Sequence, residues 1–190
     1  MSATGASGPR PEAATGESCS GCARFSVPLN AADQFGMFEL SLPRPVDVTN
    51  TTITWRLRAI GFDGTSGGVS PYVRDVRDRD QCFIWTNLAA ISTWTDVDCE
   101  FSERYPGGVE DEPFHNDFDR TRVAKLGIQI HSGSADSSAV YSDALVYLDS
   151  ITFSNGVSPD ITFDIDIADF EFLPGDSTTP AGTNVTYLGK

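Results

Sequence analysis

From Ala23 onward, apolar and polar residues alternate with a period of two, and no segment sustains the 3.6-residue period of an amphipathic helix. Clusters of Gly, Pro, Asn, Asp or Ser bound the alternating runs, as they bound strands. Nine segments have this form: "ARFSVPL", "FGMFELSL", "TTITWRLRAI", "VSPYVRDV", "CFIWTNL", "WTDVDCEF", "KLGIQIHS", "ALVYLDSITF" and "ITFDIDIADFEF". They predict an all-β fold, a two-sheet antiparallel β-sandwich. Only "DFDRTRVAKL" has the pattern of a helical turn.

The 190 residues suffice for one domain with a sizeable core. Residues 1–18 are small, polar and rich in Gly, Ala and Pro, a composition typical of a flexible linker. We therefore expect a linker over 1–18 and a single β-sandwich domain over 19–190. No apolar run approaches membrane-spanning length, so no membrane insertion is expected, and we expect a monomer.

The formal net charge is -14, and only two of the 13 basic residues are lysines. Such a field repels a phosphate backbone and an anionic membrane surface, so nucleic acid is a poor partner. Surplus acid suits calcium or a neutral ligand better. A negative surface also serves solubility alone, and the charge does not separate these interpretations.

Four cysteines are present, and their simplest pairing is Cys19–Cys22 and Cys82–Cys99. The lone "CSGC" has no second pair to complete a zinc site, and no helix start that a thioredoxin-like site needs. Two disulfides indicate an oxidising compartment, hence a secreted or extracellular protein. In "CFIWTNLAAISTWTDVDC" the second pair brackets two segments that we predict to be adjacent antiparallel strands, stapled by the bond.

Alternation places Tyr72, Arg74, Gln129 and His131 at non-core positions of two strands. Flat aromatic rings stack on the apolar faces of sugar rings, and planar amide or guanidinium groups bond the surrounding hydroxyls. A carbohydrate site and an ordinary polar outer face both fit this pattern.

The three tryptophans differ in their expected positions. Trp55 alternates with apolar neighbours and is predicted to be core, and the core is also favoured for Trp94. Trp85 lies beside the turn in "NLAAIST" and is the best candidate for an exposed stacking platform.

Catalytic signatures are missing from the sequence: there is no G-x-S-x-G, H-E-x-x-H, P-loop or G-x-G-x-x-G. A glycosidase site built on two carboxylates stays open because acids are plentiful. Asp149 stands within the apolar strand "VYLDSITF", where a carboxylate needs an arginine, backbone donors or a cation.

The ordered series "GGVSPYVRDV", "FIWTNL", "STWTDVD", "FDRTRVAKLGIQIHSG" and "VYLDSITF" resembles the jelly-roll carbohydrate-binding modules of galactose-binding-domain type that are appended to bacterial mannanases and other β-glycanases. The resemblance covers about residues 22–153. It implies a non-catalytic, secreted module for a polysaccharide of the β-mannan, xylan or β-glucan class. The contacts it implies are the carbohydrate-binding residues Tyr72, Arg74, Trp85, Gln129 and His131.

The same resemblance implies a structural Ca²⁺ held by Asp149. Two departures accompany it. The usual opening strand of the "F-E-x-G-x-x-x-W" kind is missing, and "ITFDIDIADFEF" follows the usual closing strand. We expect the extra strand to occupy the place of the missing one. Two other functions stay open: an adhesion or surface-structural domain that binds protein, and a jelly-roll enzyme that degrades glycans.

Overall fold

The computed structural model describes residue 19 and residues 21–82, 84–102, 105–106, 118–154, 169–173 and 179–188. Within these ranges the chain forms twelve strands in two six-stranded sheets, and every strand pairing is antiparallel. The predicted all-β, two-sheet antiparallel β-sandwich is therefore confirmed. No helix in this part of the chain is long and apolar enough to span a bilayer.

The first sheet, read from edge to edge, consists of β12 (Asn184–Leu188), β1 (Cys22–Val27), β10 (Ala144–Ser154), β3 (Thr52–Ile60), β7 (Thr95–Ser102) and β8 (Tyr105–Pro106). The second consists of β11 (Glu171–Leu173), β2 (Phe35–Val46), β9 (Val123–His131), β4 (Gly68–Asp75) and β5 (Asp80–Gln81), with β6 (Thr86–Asn87) also paired to β4. Two 3-10 turns cover Leu88–Ile91 and Arg120–Arg122, and the second falls within the predicted helical turn "DFDRTRVAKL".

The core lies between the sheets and is filled by the inward positions of the alternating strands. Phe25 of β1 and Phe38 of β2 meet across it with ring centroids 4.7 Å apart. Each such ring, fully buried, contributes about 1.5–3 kcal/mol. Trp55 is fully buried and Trp94 packs against the core, so both predictions are confirmed.

Both predicted disulfides are present, Cys19–Cys22 and Cys82–Cys99. The hairpin predicted between Cys82 and Cys99 is wrong. Cys82 follows β5 in the second sheet, whereas Cys99 belongs to β7 in the first. The bond therefore joins the two sheets through the core, where both cysteines are buried. Closing a loop with a sequence separation of 17 stabilises the fold by about 3 kcal/mol in the chain-entropy model.

The C-terminal segment contributes an edge strand to each sheet. Strand β11 pairs with β2, and strand β12 pairs with β1. Residues 161–168, most of "ITFDIDIADFEF", lie outside the described residues, so the replacement of a missing opening strand stays a prediction. The linker predicted over 1–18 also lies outside them.

Candidate functional site

The outer face of the second sheet gathers the five residues predicted to bind carbohydrate. Tyr72 and Arg74 lie on β4, and Gln129 and His131 lie on the neighbouring strand β9. Their neighbours along each strand, such as Val73 and Ile130, belong to the buried core. Trp85 reaches the same face from the segment before β6. The five residues divide between two ends of this face, and the ends differ in exposure and in charge.

At one end the Trp85 indole lies directly over Gly68, the first residue of β4. A Cβ built on Gly68 would come within 2.2 Å of Trp85 Cε2, so only a glycine leaves room for the ring there. Because β6 pairs with the start of β4, Gly68 opposite Asn87, the chain folds Trp85 back onto the sheet. The Trp85 side chain nevertheless remains 47% exposed. The predicted outward orientation is confirmed.

Two further rings follow this indole in a row across the sheet. His131 lies opposite Gly68 in the register and meets Trp85 edge-on, with ring centroids 5.7 Å apart. Phe35 lies opposite His131 on the next strand and stacks on it, with ring centroids 5.8 Å apart and planes 15° apart. We call Phe35, His131 and Trp85 the aromatic row. Sequence reasoning missed Phe35, although the alternation of "FGMFELSL" places it on this face.

The loops beside the aromatic row are held by backbone hydrogen bonds. The Gly133 amide donates to His131 Nδ1 at 2.7 Å, and the Gly133 carbonyl accepts from the Asp33 amide at 3.0 Å. Ser132 exchanges bonds with Gln34, accepting at its hydroxyl oxygen at 3.0 Å and donating from its amide at 2.8 Å. These bonds fix the loops next to the rings, and a fixed surface loses less conformational entropy when it binds a ligand.

His131 and Gln129 supply the polar groups of this end. Burial holds the pKa of His131 below its usual value, and the Asp33 charge offsets part of that effect. The imidazole is therefore neutral at pH 7, and because Nδ1 accepts from Gly133, its proton lies on Nε2. Gln129 is partly exposed, and its amide has no hydrogen-bond partner among the described residues. Both side chains can bond hydroxyl groups.

The other end of the face is ionic. Tyr72 is fully buried, so the exposed position implied for it is wrong. Its ring lies over Gly127, and its hydroxyl donates to Glu39 Oε1 at 3.0 Å. Burial and the Glu39 charge raise the pKa of the Tyr72 phenol. Arg74 Nη1 pairs with the same Glu39 oxygen at 2.5 Å, and Lys125 Nζ lies 3.5 Å from the other.

Two further acids complete this end, the exposed Asp78 and the partly buried Asp80. Arg74 forms a bidentate ion pair with Asp80, donating from Nε to Oδ1 and from Nη2 to Oδ2. Lys125 donates to Asp78 Oδ1 at 2.7 Å, and this bond lowers the pKa of Asp78 and raises that of Lys125. The guanidinium predicted to bond sugar hydroxyls therefore already holds two carboxylates. We call Glu39, Tyr72, Arg74, Asp78, Asp80 and Lys125 the ionic cluster.

Sequence reasoning missed Glu39, at the centre of the ionic cluster. The available signal was an acid between the buried apolar residues Phe38 and Leu40, the same signal that drew attention to Asp149. Asp149 itself lies at a register shift of β10, between Leu148 and Ser150. Within the described part of the chain no three His, Cys, Asp or Glu side chains cluster to hold a metal ion. A calcium ion on Asp149 stays a prediction.

No family model matches the chain, and no curated protein matches it. Among solved structures it is similar to PfGH50B, with a TM-score of 0.45 and 11% identity, over 69% of this chain and 20% of that one. It is also similar to an exo-beta-agarase, with a TM-score of 0.45 and 13% identity, over 76% of this chain and 24% of that one. The chain therefore spans about a quarter or less of the length of these two proteins.

Proposed function

We propose that the protein is a non-catalytic, secreted module that binds a neutral polysaccharide on the aromatic row. The observation that carries the proposal is the Trp85 indole, which lies flat on Gly68 with nearly half of its side chain in solvent. An indole held in this way offers its free face to the apolar face of a sugar ring. Exposing it costs free energy, so a ligand that covers it is favoured.

The polar groups beside the indole suit sugar hydroxyls. His131 donates from Nε2, and the Gln129 amide both donates and accepts. Both groups are neutral at pH 7, so the aromatic row has no charge of its own for an ionic ligand. A neutral glycan of the β-mannan, xylan or β-glucan class fits these groups and the net charge of -14.

The ionic cluster supports a binding role over a catalytic one. Glu39 is the buried acid on this face, and its carboxylate is held by a tyrosine, an arginine and a lysine. Glu39 is only 6% exposed, so its carboxylate is not placed to contact a substrate. The raised pKa keeps the Tyr72 phenol protonated at pH 7, so it is not available as a general base. Two disulfides support an extracellular location.

Affinity electrophoresis tests the proposal. The intact protein is run through native gels that contain mannan, xylan, β-glucan, agarose or no polysaccharide, with and without EDTA. We expect one of these glycans to retard it. An effect of EDTA on retardation would support the structural calcium ion predicted at Asp149. Equal retardation with and without EDTA would count against that ion.

Trp85→Ala should then weaken binding by about fivefold or more, since an anchoring aromatic residue contributes more than about 1 kcal/mol. The matched control is Tyr187→Ala, because Tyr187 on the edge strand β12 is 43% exposed but lies on the other sheet. Equal retardation of the two variants would refute the assignment of Trp85. Retardation by none of the glycans would favour a protein-binding adhesion domain, and release of reducing ends would favour an enzyme.

A further inference from the structure

The outer face of the first sheet carries two arginines that flank one tyrosine. Tyr147 of β10 lies opposite Arg24 of β1 on one side and opposite Arg58 of β3 on the other. Directly opposite residues of antiparallel strands place their side chains on the same face of a sheet. Tyr147 is 3% exposed, while both arginines are partly exposed. We call these three residues the arginine pair site.

Neither arginine of this site has an acidic partner in the described part of the chain, although acids outnumber bases 27 to 13 in the sequence. The Nε atoms of Arg24 and Arg58 are both buried without a hydrogen-bond partner there. A ligand from solution cannot contact these buried Nε atoms, so the donors it can reach are the terminal Nη groups of the two partly exposed side chains. Arg56, two residues from Arg58 on the same face, differs because Asp96 pairs with it at 3.2 Å.

Arg74 has a carboxylate partner of the kind that Arg24 and Arg58 lack among the described residues. There the Nε edge of the guanidinium grips the Asp80 carboxylate with two parallel hydrogen bonds. A carboxylate is the planar anion that matches this edge of an arginine. At Arg24 and Arg58 the terminal Nη groups offer the same kind of parallel donor pair.

We propose that the arginine pair site binds the carboxylate of a small ligand that carries little other charge. The two cations supply a local attraction, whereas the net charge of -14 repels a polyanion that would bring many charges close. The site lies on the opposite sheet from the aromatic row, so it does not rest on the function proposed above.

Galacturonate is a suitable probe because galactose differs from it only in carrying a neutral hydroxymethyl group in place of the carboxylate. With the ¹⁵N-labelled full chain, we expect galacturonate to shift the Nε–H resonances of Arg24 and Arg58 saturably, and galactose to leave them unchanged. Inorganic sulfate, in a third titration, separates a carboxylate site from a general oxyanion site. Sulfate binding as tight as that of galacturonate would overturn the carboxylate assignment.

Variants locate the site. Arg58→Gln should weaken galacturonate binding by about tenfold or more, the effect of losing a charged hydrogen bond. Arg56→Gln removes the same charge from the same face and should leave the affinity within about twofold. Trp85→Ala should bind galacturonate as the unmodified protein does, which separates this proposal from the aromatic row. Equal losses in Arg58→Gln and Arg56→Gln, or shifts that do not saturate, would overturn the proposal. Arg24→Lys, which keeps the charge but not the fork, should also bind more weakly, and unchanged affinity there would count against a guanidinium grip.

Discussion

The two ends of the outer face of the second sheet share one local arrangement but differ in how exposed its aromatic ring is. Each end lays an aromatic ring on a strand glycine, Tyr72 on Gly127 and Trp85 on Gly68. At the ionic cluster the ring is fully buried, and its hydroxyl is bonded to Glu39. At the aromatic row the ring stays 47% exposed. The residues around a ring, and not its position over a glycine, therefore decide whether the ring contributes to stability or to binding.

Those neighbours follow from the strand register. Tyr72 lies in line with Gly127 and Glu39 across three strands, and Arg74 lies in line with Lys125. Charged groups surround the phenol, and its hydrogen bond to Glu39 fixes the position of the ring. Gly68 lies in line with His131 and Phe35, and these rings leave one face of the indole uncovered. Mutations at matched positions of the two ends should therefore separate stability from binding.

The largest expected effect is on stability, from Arg74→Met. The change leaves Glu39 buried with Tyr72 and Lys125 as its remaining partners among the described residues. Breaking a buried ion pair costs about 3–5 kcal/mol, and since the Arg74 side chain keeps 16% of its surface exposed, we expect about 3 kcal/mol. Urea denaturation measures the loss. Arg56→Met is the control, because its pair with Asp96 is exposed and should contribute less than about 1 kcal/mol. Equal losses in both variants would contradict a structural role for the ionic cluster.

The next largest expected effect is the loss of stability caused by Gly127→Ala. A Cβ there would come within 2.1 Å of Tyr72 Cζ, and the buried ring cannot swing away without breaking its bond to Glu39. Overpacking of this kind costs about 1–3 kcal/mol, more than the 0.5–1 kcal/mol that alanine gains over glycine in a strand. We expect a net loss of about 1–2 kcal/mol, measured by urea denaturation, and little change in glycan retardation. A stable variant that no longer binds glycan would reverse the roles of the two ends.

Gly68→Ala is the matched change at the other end. The new methyl group would come within 2.2 Å of the Trp85 ring, which can move outward into solvent. Stability should therefore stay within about 0.5 kcal/mol. Glycan affinity should fall by about tenfold, since the indole loses the orientation in which it stacks. Electrophoresis and urea denaturation of the same sample decide the point, and a destabilised variant with unchanged affinity would show that Trp85 serves packing.

Sequence periodicity was enough to assign faces but not exposure. A period of two places Tyr72, Arg74, Gln129 and His131 on one face whatever their surroundings. The burial of Tyr72 depends on Glu39 and Lys125, which come from other strands, and no local pattern contains that strand order. Phe35 stayed unassigned for the same reason, since its place beside His131 follows from the pairing of β2 with β9.

The segment between Cys82 and Cys99 shows a second limit. "CFIWTNL" alternates like a strand, but among its described residues only Thr86–Asn87 pairs, and a 3-10 turn over Leu88–Ile91 then leads to the other sheet. The bond between the two cysteines was predicted as part of the simplest pairing of the four, and it is present. The crossing between sheets was not, because apolar residues in a connection that packs on the core look the same as those of a strand.

The smallest expected effect is a pH dependence confined to the aromatic row. Because burial keeps the pKa of His131 below its usual 6.5, the folded protein takes up this proton less readily than the unfolded chain. The stability that neutral His131 contributes is present above pH 6.5 and is lost as the pH falls below it. Protonation also breaks the bond that Nδ1 accepts from Gly133, so glycan affinity should be constant from pH 7 to 8 and fall as the pH drops below 6.5. Imidazole NMR with gel retardation follows both changes, and His131→Gln should show neither. A His131 pKa above 6.5 would contradict the effect of burial on this imidazole. The same pH profile in His131→Gln would place the titrating group outside the aromatic row.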